Sequence, residues 1–214
     1  MKLDFRRIWR ITLSVAVLMF IIGIAIDSTD VRRYASRMER LMQRGDYQAA
    51  LEVGDESDKT DRHLMMLRIE ALGHEHQLGD RLFSYPIQGK SADVKGLQGK
   101  QGDMTNLKGD YELCAYLVDK QLDKFAAALP HYYSLSDSQS GQRLRLPRYY
   151  REALVLYNHL RSNPQIIFHN TVMDTDFQDF RQLERQYSDP KARQVAVFRH
   201  YEGTYWYYYF YLNK

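Results

Sequence analysis

The stretch that decides the fold is Gly45–Leu51, which reads Gly-Asp-Tyr-Gln-Ala-Ala-Leu. Glycine often ends a helix because it adopts a positive φ without strain, and aspartate caps the next helix by accepting a backbone N–H. Tyr47 and Ala50 then supply one aromatic and one small side chain, which lets two helices approach closely. The stretch therefore predicts two helices joined by a tight turn.

The flanking residues extend this pattern into a possible repeat. The preceding segment, 31–44, has apolar residues at helical spacing, namely Tyr34, Met38, Leu41 and Met42. A second Gly-Asp pair, Gly79-Asp80, follows 34 residues after Gly45-Asp46, behind the apolar stripe Leu64, Leu67, Ala71 and Leu72. A period of 34 residues is that of the tetratricopeptide helix–turn–helix unit, which the first unit resembles. Pro86 stops any long helix after the second pair.

The rest of the chain also favours helices. Residues 84–110 hold five of the twelve glycines without apolar periodicity, which predicts a long loop, and the Ser-rich region up to 146 predicts another at 134–146. Between and after these loops we expect helices at 111–118, 122–129, 149–160, 174–187 and from 191 onward. The predicted fold class is all-α, a transmembrane helix followed by a solenoid of tetratricopeptide-like helical hairpins over residues 27–214.

The N-terminal region predicts a membrane anchor. Residues 1–10 are basic, and Ile11–Ile26 contains no charged residue. Counted from Ile8, the apolar helix would be about 28 Å long at 1.5 Å per residue, close to the thickness of a bilayer core. We expect a single-pass anchor at 11–26 with the body outside the cytoplasm. The alternative is a cleaved signal peptide, since Gly23-Ile24-Ala25 is a small-x-small triplet.

Three sequence segments resemble those of an uncharacterised family of bacterial membrane proteins. They are Leu78–Pro86, Leu146–Leu154 and the Tyr- and Trp-rich C-terminus. The resemblance covers most of residues 30–212 and implies transmembrane helices followed by tetratricopeptide-like repeats, in a bacterial inner membrane, with no assigned activity. Family members have several spans, so the resemblance implies that this chain is a shortened member or a fragment.

Composition limits the classes of partner. Residues 1–10 hold four of the 30 Lys and Arg residues and one of the 27 Asp and Glu residues, so the remainder carries 26 of each. A neutral body lacks the basic surface that nucleic acid requires, and we expect no nucleic-acid partner. The single Cys114 rules out an intramolecular disulfide and is expected to be a buried small residue.

No motif for catalysis, a cofactor or a metal is complete. Ser84–Ser91 has Ser where a phosphate-binding loop needs its first Gly. His74 and His76 would point about 200° apart on a helix, so they could not easily share one metal ion. We therefore predict no catalytic, cofactor or metal residues and no enzyme activity.

Two groups of residues are candidates for partner binding. By comparison with the groove of tetratricopeptide proteins, the first lies on the helix before Gly45 and comprises Arg32, Ala35, Glu39, Met42 and Gln43. The second lies in the C-terminal run of seven aromatic residues, 205–211, and comprises Tyr205, Trp206, Tyr208 and Tyr209. This run could form a capping helix, a sticky strand, or a surface for a membrane or partner.

The sequence as a whole predicts a membrane-anchored helical-repeat scaffold that binds an unidentified protein or peptide without catalysis. Two alternatives remain open. One is an extracytoplasmic enzyme or sugar-binding module that uses the aromatic C-terminus. The other is a structural subunit of a larger membrane complex.

Overall fold

The computed structural model describes residues 5–97, 105–133 and 146–212. Within these ranges the chain contains helices and no β-strand, which confirms the predicted all-α class. The helices are α1 (Phe5–Met42), α2 (Tyr47–Leu51), α3 (Arg62–His74), α4 (Leu78–Arg81), α5 (Ser91–Gly96), α6 (Thr105–Val118), α7 (Leu122–Ala128), α8 (Arg148–Leu160), α9 (Thr171–Gln186), α10 (Pro190–Tyr201) and α11 (Tyr205–Tyr211). Short 3₁₀ turns cover Leu82–Ser84 and Leu129–His131.

Three tight turns of one type join α1 to α2, α3 to α4 and α6 to α7. At the end of α1, Gly45 has φ +77°, its N–H bonds to Met42 O, and the N–H of Asp46 bonds to Leu41 O. The same pair of bonds, with a positive φ at the same place, closes α3 at His76 and α6 at Lys120. This is the Schellman geometry, which satisfies carbonyls that the helix end would otherwise leave unbonded.

The first turn follows the prediction, whereas the second has a different register. The carboxylate of Asp46 accepts a 3.2 Å hydrogen bond from Ala49 N and caps α2 as expected. The turn after α3 lies at His76, however, and Gly79-Asp80 is inside α4. A Cβ on Gly79 would lie 2.6 Å from the Cβ of Pro147, so this glycine allows α4 to approach the start of α8. The two Gly-Asp pairs, which are 34 residues apart, therefore have different structural roles.

Helix α8 is the centre of the second half. It packs against α4, α7, α9 and α11, and most of its residues are buried. Asn170 caps α9 through a 3.1 Å bond from Met173 N, and Asp189 caps α10 through a 2.8 Å bond from Ala192 N. Gly203, with φ +70°, then turns the chain so that the aromatic helix α11 packs on α8.

The predicted membrane anchor is wrong. None of the helices in the described ranges combines the length and apolar character needed to span a membrane. The stretch 11–26 belongs to the 38-residue helix α1, which continues through charged residues and packs Val31, Ala35 and Met38 into the core. The single-pass anchor and the placement in a bacterial inner membrane are corrected by this finding.

The predicted loops differ from the structure in one case and cannot be compared in the other. Residues 84–110 include α5 and the beginning of α6, and 98–104 lie outside the described residues. Asp93 stabilises the start of α5 by accepting a 3.1 Å hydrogen bond from Lys90 N. The second predicted loop, 134–146, lies almost entirely outside the described residues. Cys114 is fully buried, as predicted.

Candidate functional site

A cleft between α8, α9 and α10 has a volume of about 840 Å³. This is within the range of roughly 300–1,000 Å³ that is usual for ligand sites. The residues that line it are Arg148, Arg151, Glu152, Met173, Asp176, Asp179, Gln182, Leu183, Gln186, His200, Tyr201, Thr204 and Trp206. We call this the α8–α10 cleft.

One wall of the cleft carries two arginines on successive turns of α8. The Nε of Arg148 donates a 2.7 Å hydrogen bond to Glu152, whose side chain is almost fully buried. Burial raises the pKa of Glu152 above its ordinary value of 4.5, and the charge of Arg148 acts in the opposite direction. Arg151, in contrast, has a buried Nε with no hydrogen-bond partner among the described residues. Arg151 forms no ion pair with another described residue, and its charge acts on Glu152 more weakly than that of Arg148. Its guanidinium is therefore the one on this wall with a bonding position left for a ligand.

The facing wall carries carboxylates on α9. Asp176 and Asp179 are exposed and three residues apart, so they lie on one face of α9, beside the buried Phe177 and Phe180. Neither carboxylate forms an ion pair with another residue of the described ranges. The cleft thus places available groups of opposite charge on two helices.

The floor of the cleft is aromatic and rigid. The indole N–H of Trp206 donates a 2.8 Å hydrogen bond to the carbonyl of Glu152. The Trp206 ring contacts Phe177 nearly edge-on, with ring centroids 5.1 Å apart. A buried indole with its N–H bonded has a fixed orientation, so a ligand would meet a pre-formed surface.

The predicted aromatic binding residues are mostly used inside the protein. Tyr205, Trp206 and Tyr208 are buried, and Tyr209 is half-buried. The hydroxyl of Tyr205 donates to Leu117 O at 3.1 Å, and that of Tyr208 donates to Val118 O at 2.7 Å. Of these four residues, Trp206 is the one that lines the α8–α10 cleft.

The other predicted binding residues lie on α1, away from this cleft. Ala35 is buried, and Met42 packs half-buried against the core. Glu39 contacts His63 Nε2 at 2.9 Å, whereas Arg32 and Gln43 are exposed. The structure does not bring these residues together with the C-terminal group.

A second buried polar cluster joins α6 to α8. The Asp110 carboxylate accepts hydrogen bonds from the hydroxyls of Tyr133 at 2.6 Å and Tyr150 at 2.8 Å. The Tyr150 hydroxyl also lies 3.4 Å from the sulfur of Cys114. Burial raises the pKa of Asp110 and that of the Cys114 thiol, which keeps the thiol protonated. Within the described residues, no group of three His, Cys, Asp or Glu side chains could hold a metal ion.

Sequence reasoning did not find the polar residues of the cleft. A signal was present, since Arg148, Arg151 and Glu152 have helical spacing beside an apolar stripe. In the sequence alone, Asp176 and Asp179 look like acidic residues that are favourable near the start of a helix. Their common site depends on how α9 folds back on α8, which no local pattern encodes.

Comparison with known proteins gives one match. A model described as "Family of unknown function (DUF6057)" matches residues 105–212, which is half of the chain and includes the whole α8–α10 cleft. Neither the comparison with curated proteins nor the comparison with solved structures gives a match.

Proposed function

The chain belongs to the DUF6057 family of unknown function, and we propose that it binds a peptide segment of a partner protein in the α8–α10 cleft. The observation that carries the proposal is the pairing of available charges across a pre-formed aromatic floor. Arg151 supplies a positive group on α8, and Asp176 and Asp179 supply negative groups on α9. A peptide with one acidic and one basic side chain would pair its acidic group with Arg151 and its basic group with Asp176 or Asp179.

The shape of the cleft supports a peptide better than a compact polar metabolite. Its lining mixes Met173 and Leu183 with the amides of Gln182 and Gln186 along nearly four turns of α9. Apolar side chains next to amides suit a chain that alternates side chains and backbone polar groups. The charged groups of the cleft would then fix the register and orientation of the bound peptide more than they increase its affinity.

The helical architecture is consistent with a scaffold role. Three hairpins closed by the same Schellman turn, at Gly45, His76 and Lys120, support kinship with tetratricopeptide-like scaffolds, as the Gly45–Leu51 stretch indicates. On this proposal, these three hairpins form the body that supports α8, and α9 and α10 complete the binding cleft. No catalytic step is part of the proposal.

The test is selection from a random library of 12-residue peptides displayed on phage, followed by fluorescence anisotropy with the enriched peptides. We expect enriched peptides to contain residues of both charges. Arg151→Gln, and separately the pair Asp176→Asn with Asp179→Asn, should each weaken binding by about 5–30-fold, which corresponds to about 1–2 kcal/mol. Glu75→Gln, a carboxylate at the end of α3, is the matched control and should leave affinity unchanged.

Two outcomes would contradict the proposal. One is a selection that enriches no sequence above the unpanned library. The other is a set of enriched peptides whose affinity is the same for the wild type and for both cleft variants.

A further inference from the structure

A second cavity lies on the other side of Arg148 and has a different chemistry. It has a volume of about 560 Å³ and a mainly apolar lining. The residues around it are Asp55, Glu56, Ser57, Asp58, Phe83, Ser84, Tyr85, Pro86, Arg148, Phe198, Glu202, Gly203, Tyr207 and Leu212. We call it the aromatic pocket.

The pocket has aromatic walls that are held from behind. Phe83 is buried among Tyr149, Tyr205 and Tyr208, with ring centroids 4.7–5.1 Å away. Phe198 meets Tyr207 edge-on at 5.7 Å and remains 47% exposed. A large aromatic side chain half-exposed at the rim of a cavity leaves ring surface available to a ligand.

Four carboxylates surround these aromatic walls. Asp55, Glu56 and Asp58 come from the loop after α2, and Glu202 comes from the turn after α10. All four are exposed, and none forms an ion pair with another described residue. Asp55 already interacts with the Tyr85 hydroxyl and with the charge of Arg68. The other three carboxylates remain for a ligand. Arg148 is the only cation among the lining residues of this described cavity, and its charge is already compensated by Glu152 at 2.7 Å.

The cations nearest to this pocket lie behind one wall. The buried Arg68 guanidinium lies over the Tyr85 ring at 4.9 Å, and Arg81 donates to the Tyr85 hydroxyl at 2.8 Å. Neither is a lining residue. They occupy Tyr85, and Tyr207 is buried with Tyr211 stacked on its ring at 5.3 Å. Among the aromatic lining residues, the half-exposed Phe198 is the ring that remains for a bound cation.

We propose that the aromatic pocket binds an organic cation of the aliphatic polyamine class. Carboxylates from two separate segments fit a ligand with ammonium groups at two positions. The apolar lining between them fits the methylene chain that joins those groups. Phe198 adds cation–π attraction to an ammonium group. A hydrated inorganic cation would use the carboxylates but would gain nothing from the aromatic walls.

Isothermal titration calorimetry with spermidine tests this proposal, with magnesium chloride as a second titrant. We expect one spermidine to bind per chain and magnesium to compete weakly. Phe198→Leu should weaken spermidine binding about 3–5-fold, which is the effect of one partly exposed cation–π contact. The pair Asp58→Asn with Glu202→Gln should weaken it about 5–10-fold, since each screened ion pair contributes little alone.

Asp176→Asn is the matched control, because it removes one exposed carboxylate from the α8–α10 cleft and none from the aromatic pocket. It should not change spermidine affinity. Circular dichroism of each variant confirms that the fold is retained. Absence of spermidine binding, an equal loss in Asp176→Asn, or unchanged binding in Phe198→Leu would each overturn the proposal. None of these outcomes bears on peptide binding in the α8–α10 cleft.

Discussion

The carboxylate of Glu152 accepts a 2.6 Å hydrogen bond from the backbone N–H of Tyr205. This contact joins the middle of α8 to the first residue of α11, 53 positions later in the chain. The same glutamate accepts from Arg148 Nε, and its backbone carbonyl accepts from the Trp206 indole. Glu152 therefore fixes the aromatic helix that forms the floor of the α8–α10 cleft and one wall of the aromatic pocket.

Replacing Glu152 should destabilise the protein strongly. Glu152→Ala leaves the N–H of Tyr205 and the guanidinium of Arg148 without their acceptor, and we expect a loss of roughly 3 kcal/mol in the free energy of unfolding. Glu152→Gln keeps one acceptor oxygen and should lose about half of that. Urea unfolding followed by circular dichroism measures both. The exposed Glu202→Gln is the control, and a loss as large as that of Glu152→Ala would be inconsistent with a specific role for Glu152.

Gly79 should tolerate no side chain. In Gly79→Ala the new Cβ would lie 2.6 Å from Pro147 Cβ and 2.8 Å from Tyr150 Cζ, so α4 and α8 must separate. Overpacking of this kind costs about 1–3 kcal/mol, which exceeds the gain of about 1 kcal/mol in helix propensity.

Gly96→Ala is the matched control for Gly79→Ala, since nothing lies within 4 Å of its Cβ. It should be neutral or slightly stabilising in thermal unfolding. A Gly79→Ala variant as stable as Gly96→Ala would show that α4 and α8 do not pack as closely as described.

His76→Gly should stabilise the protein by about 0.5–1 kcal/mol. His76 has φ +55°, a conformation that costs a residue with a Cβ roughly 1–2 kcal/mol more than it costs glycine. Part of that gain is offset by the greater freedom of glycine in the unfolded chain. His76→Ala retains the strained backbone and serves as the control. Chemical denaturation should rank the Gly variant above the Ala variant, and the reverse order would argue against this turn.

Stability at acidic pH should depend on Asp93. A hydrogen bond from Arg62 and another from Lys90 N lower the pKa of Asp93 below its usual 3.8. Because the unfolded chain then binds more protons, the free energy of unfolding falls as the pH drops through and below about 4. Asp93→Asn should be less stable than the wild type at pH 7, and the difference should shrink by pH 2.5. A difference that is constant with pH would contradict this account.

Local patterns predicted the helices of the body well. Asp46 caps α2 where the sequence predicts it. The predicted apolar stripe of α3 packs into the core, with Leu64, Ala71 and Leu72 fully buried. These features depend on residues within one or two turns of each other, so the sequence contains all the relevant information. The same holds for Cys114, whose apolar neighbours predict its burial.

Features that depend on distant contacts were not predicted. Gly79 looks like a turn residue beside Asp80, yet its role is set by Pro147 and Tyr150 on another helix. From composition alone, the aromatic run 205–211 could be exposed or buried. Glu152, on another helix, holds it against α8 by accepting a hydrogen bond from Tyr205 N. The apolar stretch 11–26 resembles a separate span, but it continues into a helix that the core holds from Val31 onward.

The central claim is that α11 is an internal element that shapes both cavities. Native-state hydrogen exchange of the backbone amides at 207–211, read by mass spectrometry, tests it most directly. We expect protection within about 1–2 kcal/mol of the global free energy of unfolding, since helices packed in the core open only with the whole fold. Exchange within about tenfold of an unstructured peptide would show that α11 is not anchored on α8, and would contradict the account.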